Sequence, residues 1–200
     1  MLYFLRYFDI ITGKAYLRRG VLMLGLDTKK VILVEHDEDW ANQFQITKKE
    51  IENILGDNVI EIYHIGSTAI KGIMAKPIID IAVKLKSFDQ LNVEGMEAAG
   101  YEYGTNMFVP GEHSFYKYAD ESRNIGTHHI HCNLENSEDI KNVTMFCDYL
   151  NAHPETAKQY NNLKLKLAAV YAHDRRAYTR SKTDFINKIV SMAEDELRIK

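Results

Sequence analysis

The stretch His64-Ile-Gly-Ser-Thr-Ala-Ile-Lys-Gly-Ile-Met-Ala-Lys-Pro-Ile-Ile-Asp-Ile81 decides the fold of this chain. An apolar, β-branched run ends in a Gly-Ser-Thr turn, and a second apolar run follows that contains a single carboxylate, Asp80. This pattern predicts two strands joined by a glycine-containing connection. Burying a lone carboxylate is costly unless a partner compensates its charge. We therefore expect Asp80 either at the edge of a functional site or in a structural ion pair.

Alternation along the second strand divides its side chains between two faces. The apolar residues at positions 79, 81, 83 and 85 face the core, which leaves Asp80 on the opposite, non-core face beside Ala82. The preceding turn, Gly66-Ser67-Thr68, can offer backbone N–H groups and hydroxyls to a phosphate. The alternative is a plain turn in which Ser67 caps a helix, and the residues alone leave both interpretations open.

A later strand, predicted from Thr127 to about position 134, carries two histidines on one face. His129 and His131 are two residues apart, so their imidazoles project in parallel within reach of one metal ion or one phosphate. His64, just before the Gly-Ser turn, is a weaker additional candidate. Structural histidines are the alternative.

The predicted last helix carries a cationic stripe near its beginning. Arg175, Tyr178 and Lys182 are three and four residues apart, and apolar residues continue the same face into the core. Such a helix end suits a phosphate pocket, whereas the alternative is that Lys182 lays its stem on the core with its amine in water. Tyr160 and Lys164, four residues apart, have the same two interpretations.

Composition excludes several classes of protein. The net charge of −3 over 200 residues gives no general attraction for nucleic acid. Two cysteines do not make a disulfide framework and favour the cytoplasm. No apolar run reaches the roughly 18 residues of a membrane helix. We expect a peripheral extension at residues 1–22, an α/β core at 23–138, and helices at 139–200 that pack on the same domain.

The element order predicts an α+β domain with helices on one side of a small sheet. Strands are predicted at 59–65, 78–85, 101–109, 114–118 and 127–134. Helices are predicted from 37 or 39 to about 55, from 87 or 89 to near 100, from 139 to 150, from 154 to 171, and from 174 to near the end.

The stretch from His64 to Ile81 closely resembles the signature of the GrpB family. Thr127-His-His-Ile-His131 resembles its second motif. Phe146-Cys-Asp-Tyr-Leu150, the Tyr160 to Lys164 segment, and the Arg175, Tyr178, Lys182 and Phe185 spacing resemble its C-terminal motifs. The resemblance covers about residues 31–190, and Cys147 stands where the family usually has arginine.

The resemblance implies a nucleotidyltransferase-like fold, with a mixed β-sheet flanked by helices. In that superfamily a Gly-Ser turn holds nucleotide phosphates, and an Asp-x-Asp pair holds divalent metal for in-line displacement. Asp80 matches the first aspartate, but Ala82 replaces the second. His129, His131 or Glu135 are candidates for the missing ligands. The implied ion is Mg²⁺ or Mn²⁺, and imidazoles shift the preference toward Mn²⁺ or Zn²⁺.

The implied roles extend to the basic residues. Gly66, Ser67 and Thr68, with Lys76, Arg175, Tyr178 and Lys182, are expected to bind the nucleotide phosphates.

Three functions compete at this point. The first is metal-dependent nucleotidyl transfer from a nucleoside triphosphate to a small acceptor, with Asp80 as the catalytic carboxylate. The second is a non-catalytic module that binds a nucleotide or another phosphorylated small molecule. The third is a metal-dependent phosphohydrolase that uses His64, Asp80, His129 and His131. None of them requires nucleic acid or a membrane.

Overall fold

The computed structural model describes residues 4–9, 14–19, 24–105, 113–119 and 121–199. The strands are β1 Phe4–Asp9, β2 Lys14–Arg19, β3 Leu26–Asp27, β4 Val59–Ile65, β5 Ile79–Leu85, β6 Glu102–Thr105, β7 His113–Tyr118 and β8 Ile125–Leu134. The helices are α1 Asp39–Leu55, α2 Val93–Ala98, α3 Glu138–Ala152, α4 Pro154–Val170, α5 Arg175–Arg180 and α6 Thr183–Ile199.

Six of the described strands form one mixed sheet. Its order is β4-β5-β8-β7-β6, and the short β3 pairs with the beginning of β8. β5 and β8 run parallel, whereas the other pairs are antiparallel. β8 therefore lies centrally and aligns its residues with those of β5 on one side and of β7 on the other.

Helices cover both faces of this sheet. One face packs its odd-numbered β5 residues against α1 and α2, around Trp40, Phe44 and Met96. On the other face, Ala82 is 1% exposed and packs in a second apolar cluster with residues of α3, α4 and α6. The expectation of helices on one side was therefore wrong. The α+β assignment with a mixed sheet flanked by helices is confirmed, and so is the C-terminal helical segment.

The beginning of α1 agrees with the sequence. The Asp37 carboxylate accepts a hydrogen bond from the Asp39 N–H at 2.9 Å, and the helix ends where Gly56 adopts a φ of +55°. The second helix begins later than expected, since Asn92 caps α2 by accepting from the N–H of Gly95. Neither Ser87 nor Asp89 begins a helix.

The predicted last helix is two helices. α5 ends at Arg180, the Lys182 N–H bonds back to the Thr179 carbonyl in a tight turn, and α6 begins at Thr183. Tyr178 packs in a third apolar cluster that includes Val31, whereas Ile189 of α6 packs in the second cluster. The two packing targets differ, so a single straight helix does not reach both.

Of the N-terminal segment, the structure describes residues 4–9 and 14–19. β1 and β2 pair as their own antiparallel two-stranded sheet. Residues 106–112, with the predicted Pro110-Gly111 turn, lie outside the described residues.

None of the described helices combines the length and apolar character needed to cross a bilayer.

Candidate functional site

Three side chains of types that can bind a metal ion meet on two neighbouring strands. Parallel pairing aligns Asp80 of β5 with His129 of β8, and Ala82 with His131. Both imidazoles therefore share the face of Asp80, and the three side chains offer ligand atoms that all lie within 4.8 Å of one another. His129 Nδ1 is 3.7 Å from Asp80 Oδ1. Tyr116 of β7 stacks on the His129 ring at 4.6 Å.

The group remains reachable from outside. The side chains of Asp80 and His129 are 30% and 28% exposed to solvent. Burial alone would raise the pKa of Asp80. The nearby His129 imidazole, with the charges of Lys76 and His131, instead lowers that pKa to about 2. The carboxylate is therefore ionised at neutral pH.

The Gly66-Ser67-Thr68 turn lies directly against Asp80. Gly66 has a φ of +71°, and a Cβ built there would approach Asp80 Oδ2 to 2.5 Å. Ser67–Ala69 forms one 3₁₀ turn, as the N–H of Ala69 reaches the Gly66 carbonyl. Burial raises the pKa of Tyr160 on α4, and the nearby Ser67 side chain opposes that shift. The turn and the carboxylate are thus in contact.

His64 does not join the three-residue group. It pairs with Ile81, so its side chain lies on the opposite face from Asp80. There it stacks on Phe44 at 4.9 Å, and its Nε2 lies 3.0 Å from the Thr68 hydroxyl. That hydroxyl donates to the Ile78 carbonyl. His64 therefore contacts the turn through Thr68, from the face of the sheet opposite Asp80.

Several cationic side chains lie near enough to Asp80 for their charges to be affected by it. The Lys76 and Lys182 ammonium groups lie 5.9 Å and 4.4 Å from the centroid of the Tyr178 ring. Burial, together with the charges of Arg175 and Lys182, lowers the pKa of Lys76 to about 7, against the influence of Asp80. Burial also lowers the pKa of Lys182 to about 8, which Asp80 opposes and Arg175 reinforces.

Arg175 and Lys164 complete this cationic cluster. Arg175 donates to the Thr28 carbonyl at 3.1 Å, and burial lowers its pKa although the charge of Asp80 opposes the shift. Lys164 is fully buried and donates to the Met74 carbonyl. Burial and the charges of Lys182 and Lys76 place its pKa well below the usual value. The sequence favoured a structural role for Lys164, and the signal that could have found it was the spacing of four from Tyr160.

Two departures from the implied pattern have a structural explanation. Ala82 lies in the apolar cluster, so its position cannot be occupied by a charged ligand without disrupting that packing. Cys147 is buried beneath the turn, with its Sγ 3.7 Å from the Gly66 carbonyl. Glu135 lies just beyond the end of β8, is exposed, and is outside the three-residue group.

Comparisons with known proteins agree with these features. Residues 30–192 match the family model described as GrpB protein. The glutamate-rich protein GrpB of Alkalihalophilus pseudofirmus is 40% identical over 173 residues, which are 84% of this chain and 99% of that protein. The crystal structure of conserved protein GrpB from Enterococcus faecalis matches with a TM-score of 0.74 and 30% identity, over 83% of this chain and 99% of that chain.

A far more distant match is a crystal structure of the Cid1 poly(U) polymerase. Its TM-score is 0.45 at 10% identity, over 66% of this chain and 42% of that chain. The family match, in contrast, spans the turn, both strands of the site and the helices that carry the cations. The chain belongs to the GrpB family.

Proposed function

We propose that this site binds the phosphates of a nucleoside triphosphate and transfers the nucleotidyl group to a small acceptor. One observation carries the proposal: the charges of Lys76, Arg175 and Lys182 are all coupled to that of Asp80, and the buried Lys164 lies near enough to Lys76 and Lys182 to be affected by both.

Buried cations in such excess need a counter-ion. Burial, reinforced by the neighbouring positive charges, disfavours the charged forms of Lys76 and Lys182, which is why their pKa values are lowered. A polyphosphate would compensate these charges and supply acceptor oxygens for their N–H groups. The cluster therefore resembles a prepared anion site more than a set of structural ion pairs, in which carboxylates would match the cations in number.

The chain's own residues divide the proposed task. The Gly66-Ser67-Thr68 turn and the cationic cluster bind the phosphates, and Tyr178 holds two of the ammonium groups in place. An acceptor hydroxyl attacks the α-phosphorus, and its proton goes to water. The bond to the β-phosphate oxygen breaks, and pyrophosphate leaves with the bonding electrons. The cations stabilise the negative charge that develops on that leaving group.

The implied pair of magnesium ions does not fit these residues. A magnesium pair needs several oxygen ligands, but Ala82 is buried among apolar groups and the neighbouring donors are imidazoles. The proposal therefore includes no step through a magnesium pair. One divalent ion held by Asp80, His129 and His131 would supply Lewis-acid polarisation of a phosphoryl oxygen when bound.

Nucleotide binding and transfer are tested separately. Isothermal calorimetry with ATP should give binding that falls at least about tenfold in Lys182→Met, because a charge-assisted contact is lost. Lys188→Met, an exposed lysine of α6, is the matched control and should bind as the wild type does. Equal affinities in the two variants contradict the phosphate site.

Transfer is read from pyrophosphate release over a panel of hydroxyl acceptors with added divalent metal. We expect release by the wild type and loss in Asp80→Asn. If both proteins release pyrophosphate equally across the panel, the catalytic part of the proposal fails.

The second candidate, a non-catalytic nucleotide or phospho-ligand module, is favoured by Ala82, which leaves a single aspartate on β5. It predicts ATP binding that EDTA does not weaken and no pyrophosphate release. The third candidate, phosphohydrolysis, leaves the Gly-Ser turn without a role. All three are compatible with a cytoplasmic protein, which both buried cysteines favour.

A further inference from the structure

We infer that Asp80, His129 and His131 form a mononuclear site for a borderline transition-metal ion of the Zn²⁺ or Co²⁺ class, and that Mg²⁺ is not its resident ion. The inference deepens the proposed function and rests on it for the role of the metal.

The geometry suits one ion. Ligand atoms that bind a single ion at about 2.1 Å lie no more than about 4.2 Å apart. Asp80 Oδ1 and His129 Nδ1 already lie 3.7 Å apart, and the whole group spans no more than 4.8 Å. Small side-chain rotations therefore bring three ligands onto one centre. A second ion would need further donors, and the described residues offer no fourth ligand within this group.

The donor set selects the class of metal. Two of the three donors are imidazole nitrogens, which suit Zn²⁺, Co²⁺ and their neighbours in the first transition row. Mg²⁺ prefers oxygen ligands in a near-ideal octahedron and gives up its waters reluctantly. One carboxylate and two imidazoles therefore bind Mg²⁺ poorly.

The residues around the proposed site would leave a bound ion accessible to solvent and hold the Asp80 carboxylate in place. The remaining exposure of Asp80 and His129 leaves room for water or a substrate oxygen at an open position, which is the arrangement of catalytic rather than closed structural metal sites. Contact with Gly66 and stacking of Tyr116 fix Asp80 and His129 before any metal binds. Such outer contacts raise metal affinity by orienting the ligands.

Cobalt provides the test, because Co²⁺ replaces Zn²⁺ and reports coordination through its visible absorption. Protein without a histidine tag, treated with EDTA and dialysed, is titrated with Co²⁺ in the absence of nucleotide. We expect one equivalent of Co²⁺ to bind, Zn²⁺ to displace it, and 10 mM Mg²⁺ to change the apparent Kd less than about twofold. Two bound equivalents, or full displacement by Mg²⁺, would overturn the inference.

Variants identify the ligands. His129→Gln, His131→Gln and Asp80→Asn should each weaken Co²⁺ binding by more than the ~10–100-fold typical of losing an outer contact. His153→Gln and His173→Gln are the controls, since neither histidine belongs to the three-residue group. Both should bind Co²⁺ within about twofold of the wild type. Unchanged binding in His129→Gln or His131→Gln excludes this ligand set.

A measurement on the wild-type protein tests the same ligands without relying on the folding of variants. Zn²⁺ should shift the side-chain ¹⁵N resonances of two histidines and no others, and shifts in any other number contradict the site. The titrations contain no phosphate ligand, so failure here leaves the ATP-binding results intact. Conversely, Lys182→Met should lose ATP binding while it binds Co²⁺ normally. The phosphate site is therefore tested independently of the metal site.

Discussion

At position 66 a side chain is excluded for two reasons. The φ of +71° disfavours any residue with a Cβ, and that Cβ would collide with the Asp80 carboxylate. The turn and the carboxylate are therefore mutually dependent. A change at Gly66 is expected to move the group that would hold the metal, although residue 66 itself contributes no side chain.

Gly72 makes this dependence testable. It has a φ of +73°, but a Cβ there would meet nothing within 4 Å. Both Gly66→Ala and Gly72→Ala carry backbone strain of about 1–3 kcal/mol, and only Gly66→Ala adds a collision with Asp80. We expect Gly66→Ala to lower both the free energy of unfolding and the affinity for Co²⁺. Gly72→Ala should lower only the free energy of unfolding. Chemical denaturation and Co²⁺ titration provide the two measurements.

His64 predicts a pH dependence of stability. Burial lowers the pKa of His64 to about 4, against the opposing charge of Asp80, whereas the unfolded value is about 6.5. Between these pH values the unfolded chain binds more protons, so the free energy of unfolding falls as the pH is lowered from about 6.5 to 4.

His64→Gln should flatten this slope by up to ~1.4 kcal/mol per pH unit in urea titrations with EDTA present. His128, whose pKa burial also lowers to about 4, maintains the remaining slope. An unchanged slope in His64→Gln contradicts the buried neutral imidazole.

Among the elements, the short helix α5 carries the site residues Arg175 and Tyr178. Its beginning depends on Asp174, whose carboxylate accepts from the Ala177 N–H at 2.9 Å. The sequence predicted a helix beginning at position 174, and this beginning is confirmed, because capping is a local property of the residue type and its position.

Asp174→Ala should therefore affect both stability and binding. We expect about 1 kcal/mol of destabilisation and several-fold weaker ATP binding, since α5 orients Arg175 in the cationic cluster. Asn92→Ala removes an equivalent cap from α2, on the other face of the sheet. It should destabilise at least as much, because Asn92 also donates to the Ile54 carbonyl, yet leave ATP affinity unchanged in calorimetry. Equal losses of affinity would mean that α5 has no specific role.

The same elements show what the sequence could and could not predict. Strand alternation correctly placed His129 and His131 on one face, because the side-chain period is local. That this face meets Asp80 depends on parallel pairing between β5 and β8, which are separated by about forty residues and which local patterns do not specify. The end of α5 was missed because helical spacing continues through Lys182, whereas Tyr178 and Ile189 pack in different apolar clusters, which local spacing does not reveal.

For the whole molecule, we propose that the core and the C-terminal helices unfold as one unit. The second apolar cluster joins residues from both, including Ile65 of β4 and Leu150 of α3. The single tryptophan, Trp40, lies in the first cluster on the other side of the sheet. Its fluorescence therefore reports on a region remote from α3.

Leu150→Ala tests this cooperativity. Removing a buried leucine should destabilise by about 2–5 kcal/mol, and the transition of Trp40 fluorescence should move together with that of helical circular dichroism. Lys158→Ala, an exposed change on α4, should stay within about 0.5 kcal/mol of the wild type. Two separated transitions in Leu150→Ala would indicate independently stable parts.

The central place of β8 has a consequence for synthesis of the protein. β5 and β7 are made before the strand that joins them, so both present open edges until residues 125–134 leave the ribosome. The residues of β8 that pair with β5 are distant from β5 in sequence, and such long-range pairing slows folding. The site consequently assembles late, and nascent chains that end before β8 should depend most on chaperones.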